Sequence, residues 1–239
     1  MDTGFSAKPT ELAQPQLTII AVPFRLRNFT LEVGHRANTR FGSTLITGHP
    51  GTVESLDESA RRIVNQWIGC DAQYIEQLYT LSTERREKRE VAMSYIALFR
   101  QDGCLGPADN RMQWSRVADL DITDDIHRMV FDYASIRLKA KFGYTNIAFH
   151  LLPERFTLSE LQQTYEHVLG HRVDKRNFRR RMVASKTLVK TAEMRRDGSH
   201  RPAALYRFMS QDDHAAYLTP SWAAASFSHR DDEPAHDER

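Results

Sequence analysis

The chain has 239 residues, 41% of them hydrophobic, and carries 33 Lys/Arg against 31 Asp/Glu, a net charge of +2. That length suits one large or two ordinary domains with cores of their own. No run of 18 apolar residues occurs, so no membrane helix is expected, and the N-terminus lacks the apolar segment of a secretory signal, which points to a cytoplasmic protein. Two cysteines, Cys70 and Cys104, are too few for a disulfide framework or a metal cluster and read as two separate reduced thiols.

Residues 1–16 read as a flexible tail. Gln16 to Val22 has the pattern of a buried strand, Arg25 to Asn28 that of a turn, and Phe29 to Val33 that of the partner strand in a hairpin. Ser55 and Glu58 have capping-box spacing. They open a helix to about Ile68, with Leu56, Ala60, Ile63, Val64 and Trp67 at helical intervals. Tyr74 to Leu81 and Val91 to Phe99 read as strands on either side of a charged loop, Thr83 to Glu90. Gln101 to Asn110 reads as a loop. Trp114 to Leu120 leads to a long helix from Asp124 to about Phe142. Strands with two inserted helices make an α/β domain over residues 17–150.

Leu151 to Phe156 is a short linker. Thr157 and Glu160 form a second capping box, and Gly170 closes that helix. Asp174 is a suitable N-cap for a further helix to about Ala184. Leu188 to Met194 and Ala204 to Phe208 flank Asp197-Gly198, a hairpin-turn dipeptide. Helix, tight turn, helix and β-hairpin over residues 151–210 is the order of a winged helix-turn-helix. Residues 211–239 form a C-terminal tail, largely disordered after Trp222 by composition.

Charge divides the chain. Glu154 to Arg207 holds 13 Lys/Arg and 6 Asp/Glu, a net of +7, so the remainder sums to −5. Such asymmetry suggests a nucleic-acid-binding module beside a neutral or acidic one. Within it, residues 175–181 contain one lysine and four arginines, with Asp174 as the nearby acid. Phe178 and Met182 share a helix face and should pack inward. Lys175, Arg176, Asn177, Arg179 and Arg180 are the candidates for base edges and phosphates, since Arg can read guanine and Asn adenine in the major groove. The wing adds Arg195, Arg196, His200 and Arg201. Thr157 and Ser159 either meet a phosphate at the start of the supporting helix or serve only as caps.

Gly48 to Gly69 resembles the Nudix box: Gly, five residues, Glu, seven residues, Arg-Glu, an aliphatic, any residue, Glu-Glu, any residue, Gly. Gly48, Glu54, Arg62, Val64 and Gly69 keep that register, whereas the three helix glutamates are replaced by Ile63, Gln66 and Trp67. Nudix hydrolases hold divalent metal with those carboxylates, and hard cations need oxygen ligands. The expectation is a kept fold without the chemistry: no catalytic residues, no metal and no cofactor.

The C-terminal segments Phe156 to Glu166, Asp174 to Arg181 and Arg201 to Phe208 resemble the Nudix-related transcriptional regulators of NAD metabolism, called NrtR. The middle of the chain agrees at Tyr74 to Thr80, Ser94 to Leu98, Trp114 and Phe131 to Tyr133. The resemblance implies a homodimeric repressor of NAD-biosynthesis or related genes, bound to a palindromic double-stranded operator and released by ADP-ribose or a related nucleotide. Candidate effector residues are Arg36, Gly48, Glu54 and Arg62. Arg36 faces either a ligand phosphate or a surface ion pair, and Arg62 reads as a structural partner of Glu54. The chain has Leu45-Ile-Thr-Gly48 where the family has Leu-Pro-Gly-Gly. The alternative is a Nudix-type diphosphate hydrolase fused to a nucleic-acid-binding module, which the replaced glutamates disfavour. RNA binding is a third reading, against which stands the lack of an aromatic stacking array.

Overall fold

The computed structural model describes residues 14–37, 42–85, 88–100, 103, 112–196 and 202–209. A mixed sheet forms the N-terminal half. Its strands are β1 (Gln16–Arg27), β2 (Thr30–Arg36), β3 (Ile46–Gly48), β4 (Tyr74–Arg85), β5 (Lys88–Phe99) and β6 (Met112–Arg116). The spatial order is β4-β5-β1-β2-β6, with β3 also pairing β1. β1 and β5 run parallel, and the other pairs are antiparallel.

β1 lies inside the sheet and is buried on both faces, so its apolar residues divide by alternation. Ile19 and Ala21 join the cluster under helix α1 (Leu56–Ile68), together with Ile63, Val64, Tyr95 and Phe99. Ile20, Val22, Phe24 and Leu26 face helix α2 (Asp125–Tyr144), with Val130, Ala134, Leu138 and Phe142. The result is a sheet between two helical layers. Both capping boxes form: Ser55 with Glu58 opens α1, and Thr157 with Glu160 opens α3 (Leu158–Leu169). Gly69 and Gly170 close those helices at φ 81° and 78°, the left-handed conformation that glycine adopts without steric cost.

Three local readings are corrected, and one segment left unassigned is a strand. The turn expected at Arg25 to Asn28 sits later, because Phe24 and Leu26 fill the core and Arg25 pairs with Glu32 across the hairpin at 2.8 Å. Only Asn28 and Phe29 turn, both at positive φ (49° and 62°), as a two-residue primed turn requires. The charged loop expected over Thr83 to Glu90 is largely strand: β4 and β5 extend toward each other, with Glu84 opposite Arg89. Opposite charges across a strand pair support it. Met112 to Arg116, at the start of the segment leading to α2, is strand β6, paired with β2. Cys70 is disulfide-bonded rather than a lone thiol, and Cys104 lies outside the described residues.

The C-terminal half contains α3, α4 (Lys175–Ala184) and the ribbon of β7 (Leu188–Arg195) and β8 (Ala203–Phe208). Its core is continuous with that beneath α2: Phe142, Tyr165 and Phe178 contact edge to face in series, with ring centroids 5.2 Å apart at each step. Phe156 pairs through its backbone with Tyr206, tying the linker to the wing. No helix among the described residues is long and apolar enough to cross a membrane. Residues 1–13 and 210–239 lie outside the described residues, and Gln16, the last residue of the expected tail, already opens β1.

Candidate nucleic-acid interface and sensor site

α4 presents the basic segment as a surface. Phe178 and Met182 are each 2% exposed and anchor one side on α3. Lys175, Arg176, Asn177 and Arg180 are exposed, and Arg179 is half-buried. Asp174 caps the helix by accepting from the Asn177 backbone at 2.7 Å, and the first turn holds no acid. Lys175 and Arg176 therefore stand at the positive end of the helix dipole, a local cost of about 0.3–1 kcal/mol each. An anionic partner facing that turn offsets this cost. Among the described residues, no carboxylate forms an ion pair with Lys175, Arg176, Arg179 or Arg180, four of the five cations of α4. Arg180 donates to the Asn177 side-chain oxygen at 2.8 Å, which leaves that amide's NH₂ outward as a donor. Arg179 donates to Ser159 at 2.8 Å and links α4 to the start of α3.

The other predicted contacts divide. Thr157 is 7% exposed and its hydroxyl accepts from the Glu160 backbone, so it works as a cap. Ser159 is exposed beside Arg179. Arg195 is held by Glu160 at 2.5 Å and by the Arg155 carbonyl at 3.1 Å, which fastens the wing to α3. Arg155 itself pairs with Glu193 in β7. Arg196 is exposed at the end of β7. His200 and Arg201 lie outside the described residues. The Glu160–Arg195 link was not anticipated, because Glu160 was accounted for by its capping role and Arg195 by its wing position.

On the opposite half, Glu54 and Arg62 form one structural knot. Arg62 donates to Glu54 through Nη2 at 2.6 Å and Nε at 2.9 Å, and reaches the His49 carbonyl at 3.1 Å. Ser59 and the Gly51 backbone also donate to Glu54, at 2.7 and 2.9 Å. Arg62, then Ser59 and Gly51, hold the Glu54 carboxyl down to about 2. The box loop is thereby pinned to α1.

The metal-binding positions are occupied differently. Ile63 is buried against Gly48, where an added Cβ would stand 2.8 Å from two of its carbons. Gln66 is exposed. Trp67 carries the Arg36 guanidinium over its ring at 4.7 Å. An isoleucine, an amide and an indole do not make a donor set for a hard divalent cation, so the residues present do not fit one. A fixed guanidinium stands beside these positions instead. The Arg36 Nε is buried without a hydrogen-bond partner among the described residues. Sequence alone hides this pair, since 31 positions separate its members.

A family model for the NrtR DNA-binding winged helix domain matches residues 148–208. The "ADPR responsive transcriptional repressor NtrR" of Acinetobacter baylyi is 34% identical over 166 residues. That match covers 66% of this chain and 66% of the relative, slightly under two thirds of its length. Among solved structures, Shewanella oneidensis NrtR complexed with a 27mer DNA aligns at a TM-score of 0.74 with 27% identity, over 82% of this chain and 95% of that one. A MutT/nudix family protein from Enterococcus faecalis aligns at 0.68 with 18% identity, over 83% and 90%, which shows the fold alone.

Proposed function

We propose that the chain belongs with the NrtR proteins, a Nudix-like domain followed by an NrtR winged helix, and that it is a ligand-responsive, DNA-binding transcriptional repressor. The observation that carries this reading is α4: Lys175, Arg176 and Arg180 are exposed, form no ion pair with a carboxylate among the described residues, and the first two stand at the positive end of the helix dipole. Lys175, Arg176, Asn177 and Arg180 enter the major groove. Arg179, Ser159 and Arg196 meet phosphates, and His200 and Arg201 are assigned to the wing contact by sequence. Thr157 and Arg195 hold the frame on which these residues stand. Residues 17–150 form the sensor and 151–210 the reader. Two copies, dimerised through the sensor half, address a palindromic site, because one small reader buries little surface.

The Acinetobacter relative is named for its response to ADP-ribose, and the same ligand is proposed here. Arg36, placed over the Trp67 ring, meets the ligand's diphosphate without a metal ion, while Gly48, Glu54 and Arg62 shape the loop around it. The protein is accordingly not a hydrolase: no carboxylate is placed to hold a metal or activate water at positions 63, 66 and 67. The regulated genes are those of NAD biosynthesis or a related supply route, and the site of action is the cytoplasm.

Alanine variants at Arg176, Asn177 and Arg180, titrated on operator and random duplexes at several salt concentrations, test the reader. Loss of a base contact costs roughly 1–3 kcal/mol on the operator alone. If no variant changes affinity more than about threefold, α4 is not the reading element.

A further inference from the structure

Helix α2 is apolar on two opposite sides. Its inner side, with Val130, Ala134, Leu138 and Phe142, belongs to the core. On its outer side Met129, Tyr133 and Ile136 stand 52%, 43% and 66% exposed, in one line at intervals of four and three. The line continues in the same rhythm at both ends. Ile126, half-buried, precedes it, and Ala140 and Gly143 follow, with open space where a Gly143 Cβ would stand. Alternating intervals of three and four over residues 126–143 make a heptad seam. A helix apolar all round is ordinarily covered all round. Tyr79 of β4, edge on to Tyr133 at 4.6 Å, holds that ring in place from one side.

The seam is its own complement when a second copy lies antiparallel across it. With the two-fold axis between Ala134 and Ser135, Ile126 falls opposite Gly143, Met129 opposite Ala140 and Tyr133 opposite Ile136. Large side chains then meet small ones toward both ends. A parallel pair would instead set each residue against itself, crowding Met129 and Tyr133 and leaving glycine against glycine. Charge agrees with the antiparallel choice. Asp132 and Lys139 flank the seam on one side, are exposed, and form no ion pair among the described residues. In the antiparallel pair Asp132 of each copy comes beside Lys139 of the other. On the opposite flank Arg137 is already taken by Glu76 of β4 at 3.1 Å.

We propose that this outer face of α2 is the docking surface for a second copy of the chain, packed antiparallel about a two-fold axis. The inference rests on the dimeric repressor proposed above and supplies its interface. α2 then carries the partner on one side and, through Phe142 against Tyr165, the reader on the other.

Cysteine cross-linking of the full chain tests the register, with the wild type as the control for the native cysteines. A chain carrying both Met129→Cys and Ala140→Cys should form a cross-linked dimer under mild oxidation. Neither single variant should, because residue 129 stands about 16 Å along the axis from its own copy, beyond the reach of a disulfide. Ile136→Glu should raise the dimer dissociation constant at least about tenfold in sedimentation equilibrium, with its far-ultraviolet circular dichroism unchanged. Lys139→Glu should raise it about threefold or more, and adding Asp132→Lys should restore it, a rescue that a local packing change would not give. Cross-linking by either single variant would overturn the antiparallel register. A dimer that Ile136→Glu leaves intact and the cysteine pair does not link would overturn the face and leave the dimeric repressor standing. A monomeric wild type, its stripe covered by residues 210–239 or by a different protein, would overturn both. Loss of operator binding by an intact dimer would count against the reader alone.

Discussion

At Ile63 the sequence departs furthest from a metal-binding helix, and its environment shows why a single reversion is not neutral. The side chain is 2% exposed and fills the space above Gly48. Ile63→Glu should destabilise the fold by about 3–5 kcal/mol, since a buried carboxylate without a partner is costly. Chemical denaturation measures this, and a loss under about 1 kcal/mol would show that the site is wetter than its packing implies. His150 gives a pH signature. Burial holds its folded value at about 4, below its ordinary value of 6.5, so the unfolded chain binds the extra proton first. The neutral form's contribution is present above 6.5 and is lost as pH falls from there toward 4, a change on the order of 2 kcal/mol. His150→Gln should flatten stability over that window in a pH series of melts. Glu54 acts lower: its contribution is full above about 4.5 and fades as pH falls toward 2. Gly48, Glu54 and Arg62 were legible because they occupy fixed places in a known spacing. The Arg36–Trp67 contact was not, because a contact between strand and helix leaves no spacing to read.

The elements were more legible than their ends. Both capping boxes and both closing glycines marked α1 and α3 because they act within a few residues. The hairpin turn was displaced because β1 continues for tertiary reasons, through the burial of Phe24 and Leu26, which local turn chemistry does not report. The run Thr83 to Glu90 looked like a loop because its charges obscure the alternation, while its stabilisation comes from cross-strand partners. For α4 and the wing the structure separates residues that sequence had grouped together. Arg176→Ala should lower the salt slope of DNA binding by about one per site. Arg195→Ala should leave that slope nearly unchanged, because its guanidinium is committed to Glu160 and the Arg155 carbonyl. Its effect should appear as a loss of stability of about 1 kcal/mol or more. A full unit lost from the slope in Arg195→Ala would return that residue to the phosphate contacts.

Across the whole molecule, the two halves share one core. Phe142 on α2, Tyr165 on α3 and Phe178 on α4 are buried in sequence from the sensor to the reader. Phe142→Ala should cost about 3–5 kcal/mol and lower a single cooperative transition for both halves. Two separated transitions would mean the halves unfold independently. Domain order was legible from charge asymmetry and periodicity, but this shared core was not, because its members come from three separate helices and no local spacing links them. Packing alone does not establish regulation: a ligand shifts DNA affinity only if it binds the DNA-free form more tightly, and the linkage must be reciprocal. The most direct measurement is the anisotropy of a labelled duplex from the gene's own upstream region, titrated with the full chain in excess chelator, with and without saturating ADP-ribose. The account predicts salt-dependent binding that ADP-ribose weakens by about fivefold or more while the nucleotide is recovered intact. Equal affinity with and without ADP-ribose, or an effect that appears only when Mg²⁺ is restored and ADP-ribose is consumed, would contradict it.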